Sequence, residues 1–367
     1  MKSPLSRLQR YVVRRTLTSI ASALAVIAFL IVLVNFVELS RNVGQRAKDV
    51  SAMDVFGLAL MESPSVVLIL TPFAVLFGVL SSFMSMNRRG ELIAMRAAGI
   101  SAWRFILPAA AAAALMGVVV VTALNPGASN LTAKFERRQS ALLSGYLVEP
   151  PKPVWLRQGD GQTQVIIRAR ANQGPGVLLK DVTLLVYRAD ENGSLQFDRR
   201  IDAQSARLVP GSLRLTKVLE ARAGQPATPH ETLSMPSTLD ADTALARFAP
   251  PQAVPFWSLP GLIGRTEAAG FSAVSYRLQF HQLLATPLMY AAMALLAAAF
   301  SLRLLRLGGL AAFAGAGVGL GFVVFFVNQL AGALGRSGVA PPALVAWSPP
   351  LLALLAGCTL LFYTEDG

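Results

Sequence analysis

The side chains in this sequence whose type and spacing could do chemistry are mostly cations. Arg41 is followed by Arg46 and Lys48, and a second group holds Lys134, Arg137 and Arg138. At helical spacing Lys134 and Arg138 share a face. Such groups at a membrane surface suit the phosphates or carboxylates of a lipid headgroup. Each can equally be a solvated charge whose stem lies on apolar surface. Covalent chemistry has little to work with. His230 and His281 are the only histidines and lie far apart, and Cys358, the only cysteine, sits in an apolar run. No disulfide can form within the chain, and a histidine-based metal or acid–base centre is not expected. No Ser/His/Asp group or paired-carboxylate arrangement is evident, and there is no G-x-x-x-x-G-K-[ST] loop. The expectation is a protein that is not an enzyme, with no catalytic residue, metal or cofactor of its own; any ATP is bound by another subunit.

The elements that must position those cations are membrane spans. The chain is 54% hydrophobic and 14% charged, with a mean hydropathy of +0.52, well above a soluble domain. A bilayer core takes about 20 apolar residues as helix. Six runs qualify: 17–37, 55–84 (broken by Pro64 and Pro72), 102–124, 278–302, 310–330 and 343–363. The two prolines place the second span inside the bundle, where neighbours satisfy the freed carbonyls. The first run is too long for a cleaved signal and reads as a retained span.

Lys and Arg set the orientation. Lys2, Arg7, Arg10, Arg14 and Arg15 crowd the start, Arg88, Arg89, Arg96 and Arg104 the second connection, and Arg303 and Arg306 the fourth. Both termini are therefore expected in the cytoplasm and the insert 125–276 on the periplasmic side. The formal charge of +13 is then mostly a topology signal, and no nucleic-acid partner is needed to explain it.

The insert changes character. Alternating segments at 163–169, 182–188, 195–200 and 213–219 are separated by polar turns such as 190–193, which predicts an antiparallel sandwich or jellyroll. Both faces of Val182–Tyr187 read as largely apolar, as in a sheet covered on two sides. Open edge strands would suit pairing with another chain. After a Pro- and Ala-rich stretch, 258–263 predicts a short interfacial helix with Pro260 in its first turn.

Residues 88–99 read as a short helix between spans two and three, capped by Asn87 and stopped by Gly99. Glu91 lies near its positive end, and Leu92, Met95 and Ala98 form an apolar strip. It is either a membrane-surface helix with its arginines among headgroups or a coupling helix inserted into a groove on a motor subunit.

The run Arg89-Gly90-Glu91-Leu92-Ile93-Ala94-Met95-Arg96-Ala97-Ala98-Gly99-Ile100-Ser101 resembles the E-L-x-x-M-x-A-x-G signature of the lipopolysaccharide-export permeases, the LptF/LptG family. The resemblance covers essentially the whole chain. It includes Asn125-Pro126-Gly127 at the exit of span three, Trp155 at the start of the β domain, and Tyr276, Phe280 and Pro287 around the start of span four. Residues 34–39, 327–330 and Pro341-Pro342 resemble the LptG branch more than LptF. Asn35 and Asn42 stand where such relatives can carry Lys, and Glu136 falls near an expected Arg.

The resemblance implies a membrane α-helical protein of the bacterial inner membrane. Its layout would be three spans over 1–124 with the coupling helix, a periplasmic all-β jellyroll and return segment over 125–276, and three spans over 277–367. It implies a permease subunit of an ABC-type exporter that extracts lipopolysaccharide from the outer leaflet and passes it to a periplasmic jellyroll bridge. The implied partners are an LptF-like permease, a dimeric LptB-like ATPase holding ATP and Mg²⁺, and a bitopic LptC-like protein. Arg89, Glu91, Leu92 and Met95 would couple to the ATPase, with Glu91 meeting a basic group and Met95 an apolar notch. Arg41, Lys134, Arg137 and Arg138 would meet headgroups.

Phe29 in span one and Phe322, Phe325 and Phe326 in span five could line an acyl cavity, with Asn328 as a gate; helix packing explains them equally well. Buried methylenes contribute about 0.8 kcal/mol each. Two other transporters compete. A mechanotransmitting ABC permease would need the same coupling helix. A secondary transporter would need inverted repeats and midplane charges, and neither is evident. Glu62 lies near a span end, and no acidic side chain crosses the bilayer.

Overall fold

The computed structural model describes residues 7–44, 50–143, 154–159, 163–172, 178–189, 195–209, 211–222, 224–237, 251–268, 272–304 and 310–365. Lys2, Arg46, Lys48, Arg306 and the turn 190–193 lie outside them. Before the sheet come α1 (Arg7–Gly44), α2 (Ala52–Arg88), α3 (Glu91–Ala97), α4 (Trp103–Val119) and α5 (Asn125–Leu143). After it come α6 (Leu259–Ala268), α7 (Val274–Leu304), α8 (Leu310–Arg336) and α9 (Pro342–Glu365). Among the described residues six helical stretches are long and apolar enough to cross a membrane, α4 and α5 counting as one. At 1.5 Å per residue, the 38 residues of α1 run about 57 Å, far beyond a hydrocarbon core of about 30 Å.

The spans pack because small and large apolar faces meet. Val12 and Ile20 of α1, Val75, Val79 and Phe83 of α2, Phe105 and Ala109 of α4, and Tyr290 and Leu296 of α7 share one buried core. Gly78 lies so close to the Ile20 backbone that a Cβ there would collide with it, which is how α1 and α2 come together. Span two is buried as its prolines predict: half of its most apolar stretch is inside the molecule, against 17% for α1. Ser63 Oγ donates to the Ala59 carbonyl at 2.6 Å and Thr71 Oγ1 to that of Val67 at 2.8 Å, so these hydroxyls are satisfied within their own helix.

Three local expectations change. Asn87 does not cap the short helix. It lies inside α2, which runs on to Arg88, and its carbonyl accepts from the Gly90 amide at 2.8 Å. The turn into α3 uses Gly90 at φ +74°, and the turn out uses Gly99 at φ +73°, a region where only glycine is unstrained.

The helix of the third span does not end at Asn125-Pro126-Gly127. It passes through a π-helical turn, Val120–Leu124, into α5. The inserted turn shifts the helical register just before Pro126, whose nitrogen has no proton to donate. The first described strand starts at Val154.

The third change concerns the sheet. The described strands β1 (Val154–Gly159), β2 (Thr163–Asn172), β3 (Leu178–Ala189), β4 (Leu195–Val209), β5 (Ser212–Arg222) and β6 (Thr228–Pro236) form one antiparallel up-and-down sheet in sequence order, not the two packed sheets of a sandwich. Its core lies on one face. Val182, Leu184 and Val186 are buried while Thr183, Leu185 and Tyr187 are half-exposed. The pairing skips Asp181 on β3, Gln204 on β4 and Lys217 on β5. Asp181 and Lys217 have positive φ, 49° and 53°. Each of these residues reverses the side-chain parity, so Leu179 and Val182, Ala203 and Ala206, and Leu215 and Val218 all point into the same core. Asp181 is a bulge against β2, where the register shifts between Arg168 and Arg170; Gln204 and Lys217 match it one for one on β4 and β5, so this line of unpaired residues creases the sheet without shifting the register there.

Candidate functional site

At one end of the bundle, Glu91 opens α3 and is held by α1. Tyr11 Oη donates to Glu91 Oε2 at 2.8 Å, and Arg15 Nη1 lies 3.5 Å from Oε1. Arg15 also donates to Tyr11 Oη at 2.5 Å and to Ser85 Oγ of α2 at 2.7 Å. The arrangement ties the short helix to two spans through one carboxylate. Tyr11 and Arg15 are four residues apart, so one face of α1 presents both. Their spacing was visible in the sequence, but nothing local connected that face to residue 91.

Leu92 and Met95 are buried in the chain's own core, 2% and 9% exposed. They anchor α3 to the bundle and are not presented to a partner. The outward side of α3 instead shows Ile93, Ala94, Arg96 and Ala97, with Ile93 64% exposed; Arg89 is exposed at the turn before it. A large aliphatic side chain on a short exposed helix is the feature the sequence reading passed over. Its signal is the helical spacing: with Leu92 and Met95 inward, Ile93 must point away.

At the other end the cations gather. Phe135 of α5 inserts among Leu39 of α1 and Val55, Leu58 and Ala59 of α2. This turns Lys134, Arg137 and Arg138 outward, all exposed, beside the end of α1 that carries exposed Arg41. Arg138 is engaged with Asp54 of α2 at 3.0 Å, while Arg41, Lys134 and Arg137 make no ion pair among the described residues.

Between the two ends, α1 and α8 are the least covered spans. Phe29 is 68% exposed on α1, in a stripe with Val26, Leu30, Leu33 and Val37. Phe322 and Phe326, one turn apart, are exposed on α8. Phe325 turns inward, its ring 5.4 Å from that of Phe73 of α2. α1 packs on α2 and α4, whereas α8 packs on α7, α9 and α2, so Phe29 and the phenylalanines of α8 belong to two separate apolar flanks. Asn328 turns from the phenylalanines toward a polar cavity shared with α2 and α7. Among the described residues no three His, Cys, Asp or Glu side chains are grouped as metal ligands.

The second half of the molecule is fastened to the third span at the π-helical turn. Asn125 Oδ1 accepts from the Phe256 amide at 3.0 Å, and Trp257 Nε1 donates to the Thr122 carbonyl at 3.1 Å. The segment returning from the sheet is thus clamped to the helix that leads toward it.

With this geometry in place, comparison with known proteins is informative. The family model described as "Lipopolysaccharide export system permease LptF/LptG" matches residues 10–363. The chain is 24% identical over 367 residues to the lipopolysaccharide export system permease protein LptG of Escherichia coli (strain K12), covering 98% of each chain. It is 25% identical over 371 residues to the LptG protein of Haemophilus influenzae, covering 99% of this chain and 100% of that one.

Proposed function

The chain belongs to the lipopolysaccharide export system permease LptF/LptG family, and from that premise we propose that it is the LptG-type half of an ATP-driven exporter that lifts lipopolysaccharide from the outer leaflet of the inner membrane. It is a multi-pass membrane protein and a transporter subunit. In this reading the α3 end faces the cytoplasm and the sheet the periplasm, which the distribution of Lys and Arg supports. ATP and Mg²⁺ are held by an LptB-like pair.

The observation that carries the reading is the state of α1 and α8. Each exposes a long apolar flank, and the flank on α1 leads to the exposed cations Arg41, Lys134 and Arg137. An LptF-like partner facing these flanks would enclose a space with walls for acyl chains and a basic rim for phosphates. The creased sheet, with its apolar face, would continue the path into a jellyroll-like bridge shared with an LptC-like protein.

Coupling follows from α3. Arg89, Ile93 and Arg96 offer a mixed basic and apolar surface to the ATPase, while Leu92, Met95 and the Glu91–Arg15 pair transmit its displacement into α1 and α2. The test is co-purification from a Gram-negative envelope with assays of ATPase and lipopolysaccharide release, for wild type and Glu91→Lys. An associated ATPase and second permease, with release lost in the variant, supports the exporter. ATPase association with no lipid release from the wild type would favour a mechanotransmitting permease. A chain that never binds an ATPase would return the secondary transporter.

A further inference from the structure

The outer half of the bundle holds a cavity of about 460 Å³ between α2, α5, α7, α8 and α9. It is separate from the exposed flanks of α1 and α8, and its occupant does not depend on what those flanks carry. Its walls are unusually polar for a membrane interior. Gln279, Gln282 and Thr286 come from α7, Asn328 and Gln329 from α8, and Ser129 from α5. The floor is Tyr290, 1% exposed, whose hydroxyl faces the Thr71 hydroxyl of α2 without reaching full hydrogen-bond geometry among the described residues. From Gln279 to Tyr290 the wall descends about 16 Å at 1.5 Å per residue, roughly half of a hydrocarbon core.

At the mouth, Arg336 ends α8 and makes no ion pair among the described residues. Its guanidinium folds back over Gly332. A Cβ placed on that glycine would lie 3.4 Å from both Arg336 Nη1 and Gln282 Nε2. The Arg336 and Gln282 side chains therefore converge beside a bare stretch of helix, with room left for an acceptor.

Polar side chains facing an apolar phase need partners, because an unsatisfied buried hydroxyl or amide costs about 1–3 kcal/mol. Amides and a hydroxyl, each able to donate or accept, match a ligand with hydroxyl groups. One guanidinium matches one phosphate. Leu68, Ile69 and Met289 supply an apolar side to the same cavity, where the start of an acyl chain would lie. The volume falls within the range of small-molecule sites. We propose that this cavity is a lipid site that takes the headgroup of a glycerophospholipid bearing one phosphate and free hydroxyls, with the phosphate on Arg336 and Gln282 and the hydroxyls one helical turn deeper, at Thr286 and Asn328.

The test uses the full chain, delipidated in detergent, titrated with dihexanoyl phosphatidylglycerol while Tm is followed. Dihexanoyl phosphatidylcholine and inorganic phosphate serve as comparisons. Phosphatidylglycerol should raise Tm by several degrees with a saturating curve, and phosphatidylcholine, which lacks the hydroxyls, should do so more weakly. Arg336→Gln should move half-saturation at least tenfold upward, and Asn328→Leu about threefold. Arg336 is exposed at a helix end, so its variant should keep the unliganded Tm; if it does not, Gln282→Leu gives the same reading. No shift with phosphatidylglycerol, or the same titration in every variant, overturns the site. An equal shift from inorganic phosphate alone overturns its assignment to a lipid. None of these outcomes depends on export, so failure here leaves the permease reading untouched.

Discussion

Trp257 donates its indole proton to the Thr122 carbonyl across 3.1 Å. Pro126, four residues beyond Thr122 in the same helical run, has no amide proton to offer that oxygen. The return segment thus serves a backbone acceptor that the sequence of the third span leaves open. Trp257 is 65% exposed, as suits an amphipathic ring at a membrane interface, so its main contribution is this bond.

Trp257→Phe should lower the stability of the purified protein by about 1 kcal/mol. Pro126→Ala restores an amide that can reach the same carbonyl. In that background Trp257→Phe should cost clearly less, and a double-mutant cycle in thermal unfolding reads the difference. Equal costs in the two backgrounds would mean that the indole bond does not replace the missing helical one.

Glu91 is bound within its own chain by Tyr11 and Arg15, which separates two roles that the sequence alone merged. If the carboxylate acts by holding α3 to α1, Glu91→Lys should cut ATP-driven lipid release more than tenfold. The swap Arg15→Glu with Glu91→Arg should then recover a large part of it. A carboxylate that instead meets a basic group on the motor would not be rescued by a change in α1. Release assays on the three proteins distinguish these cases.

The two sides of α3 should respond in opposite ways. Leu92→Ala removes a side chain 2% exposed and should cost about 2–5 kcal/mol of stability. Ile93→Asp lies on the outward side and should change stability by less than about 0.5 kcal/mol, yet abolish ATPase co-purification. Thermal unfolding and a pull-down on the same samples check both. Retention of the ATPase by Ile93→Asp would move the docking surface elsewhere.

The spans were legible because each needs only a long apolar run, and that signal survives loss of detail about packing. The helix ends were not, since they depend on partners distant in sequence. Asn125-Pro126-Gly127 has the composition of a helix stop, but the π-helical turn before it and the Phe256 amide on the Asn125 side chain keep the helix going. In the sheet, strict alternation breaks at Asp181, Gln204 and Lys217, so the strands looked short when those residues only reversed parity. Glu91 and Met95 stood out by type and spacing. Which way each faces is decided by α1 and by the core, and no motif within α3 records either.

The basic row at the sheet end makes a prediction about a residue that touches no lipid. Arg138 is held by Asp54 at 3.0 Å, both partly exposed, so the pair contributes little to stability but occupies one cation of the row. Arg137→Glu should reduce photocrosslinking of lipopolysaccharide to this face several-fold, because it reverses a free charge. Asp54→Asn should act in the other direction. It releases Arg138 and removes a repelling carboxylate, and crosslinking should rise about twofold at low salt. Raising the ionic strength should shrink both effects, since these groups are exposed and the Debye length falls from about 10 Å at 0.1 M to about 3 Å at 1 M. An Asp54→Asn variant that captures less lipid than wild type would show that the ion pair positions α5 and that Arg138 is not held back from the cargo.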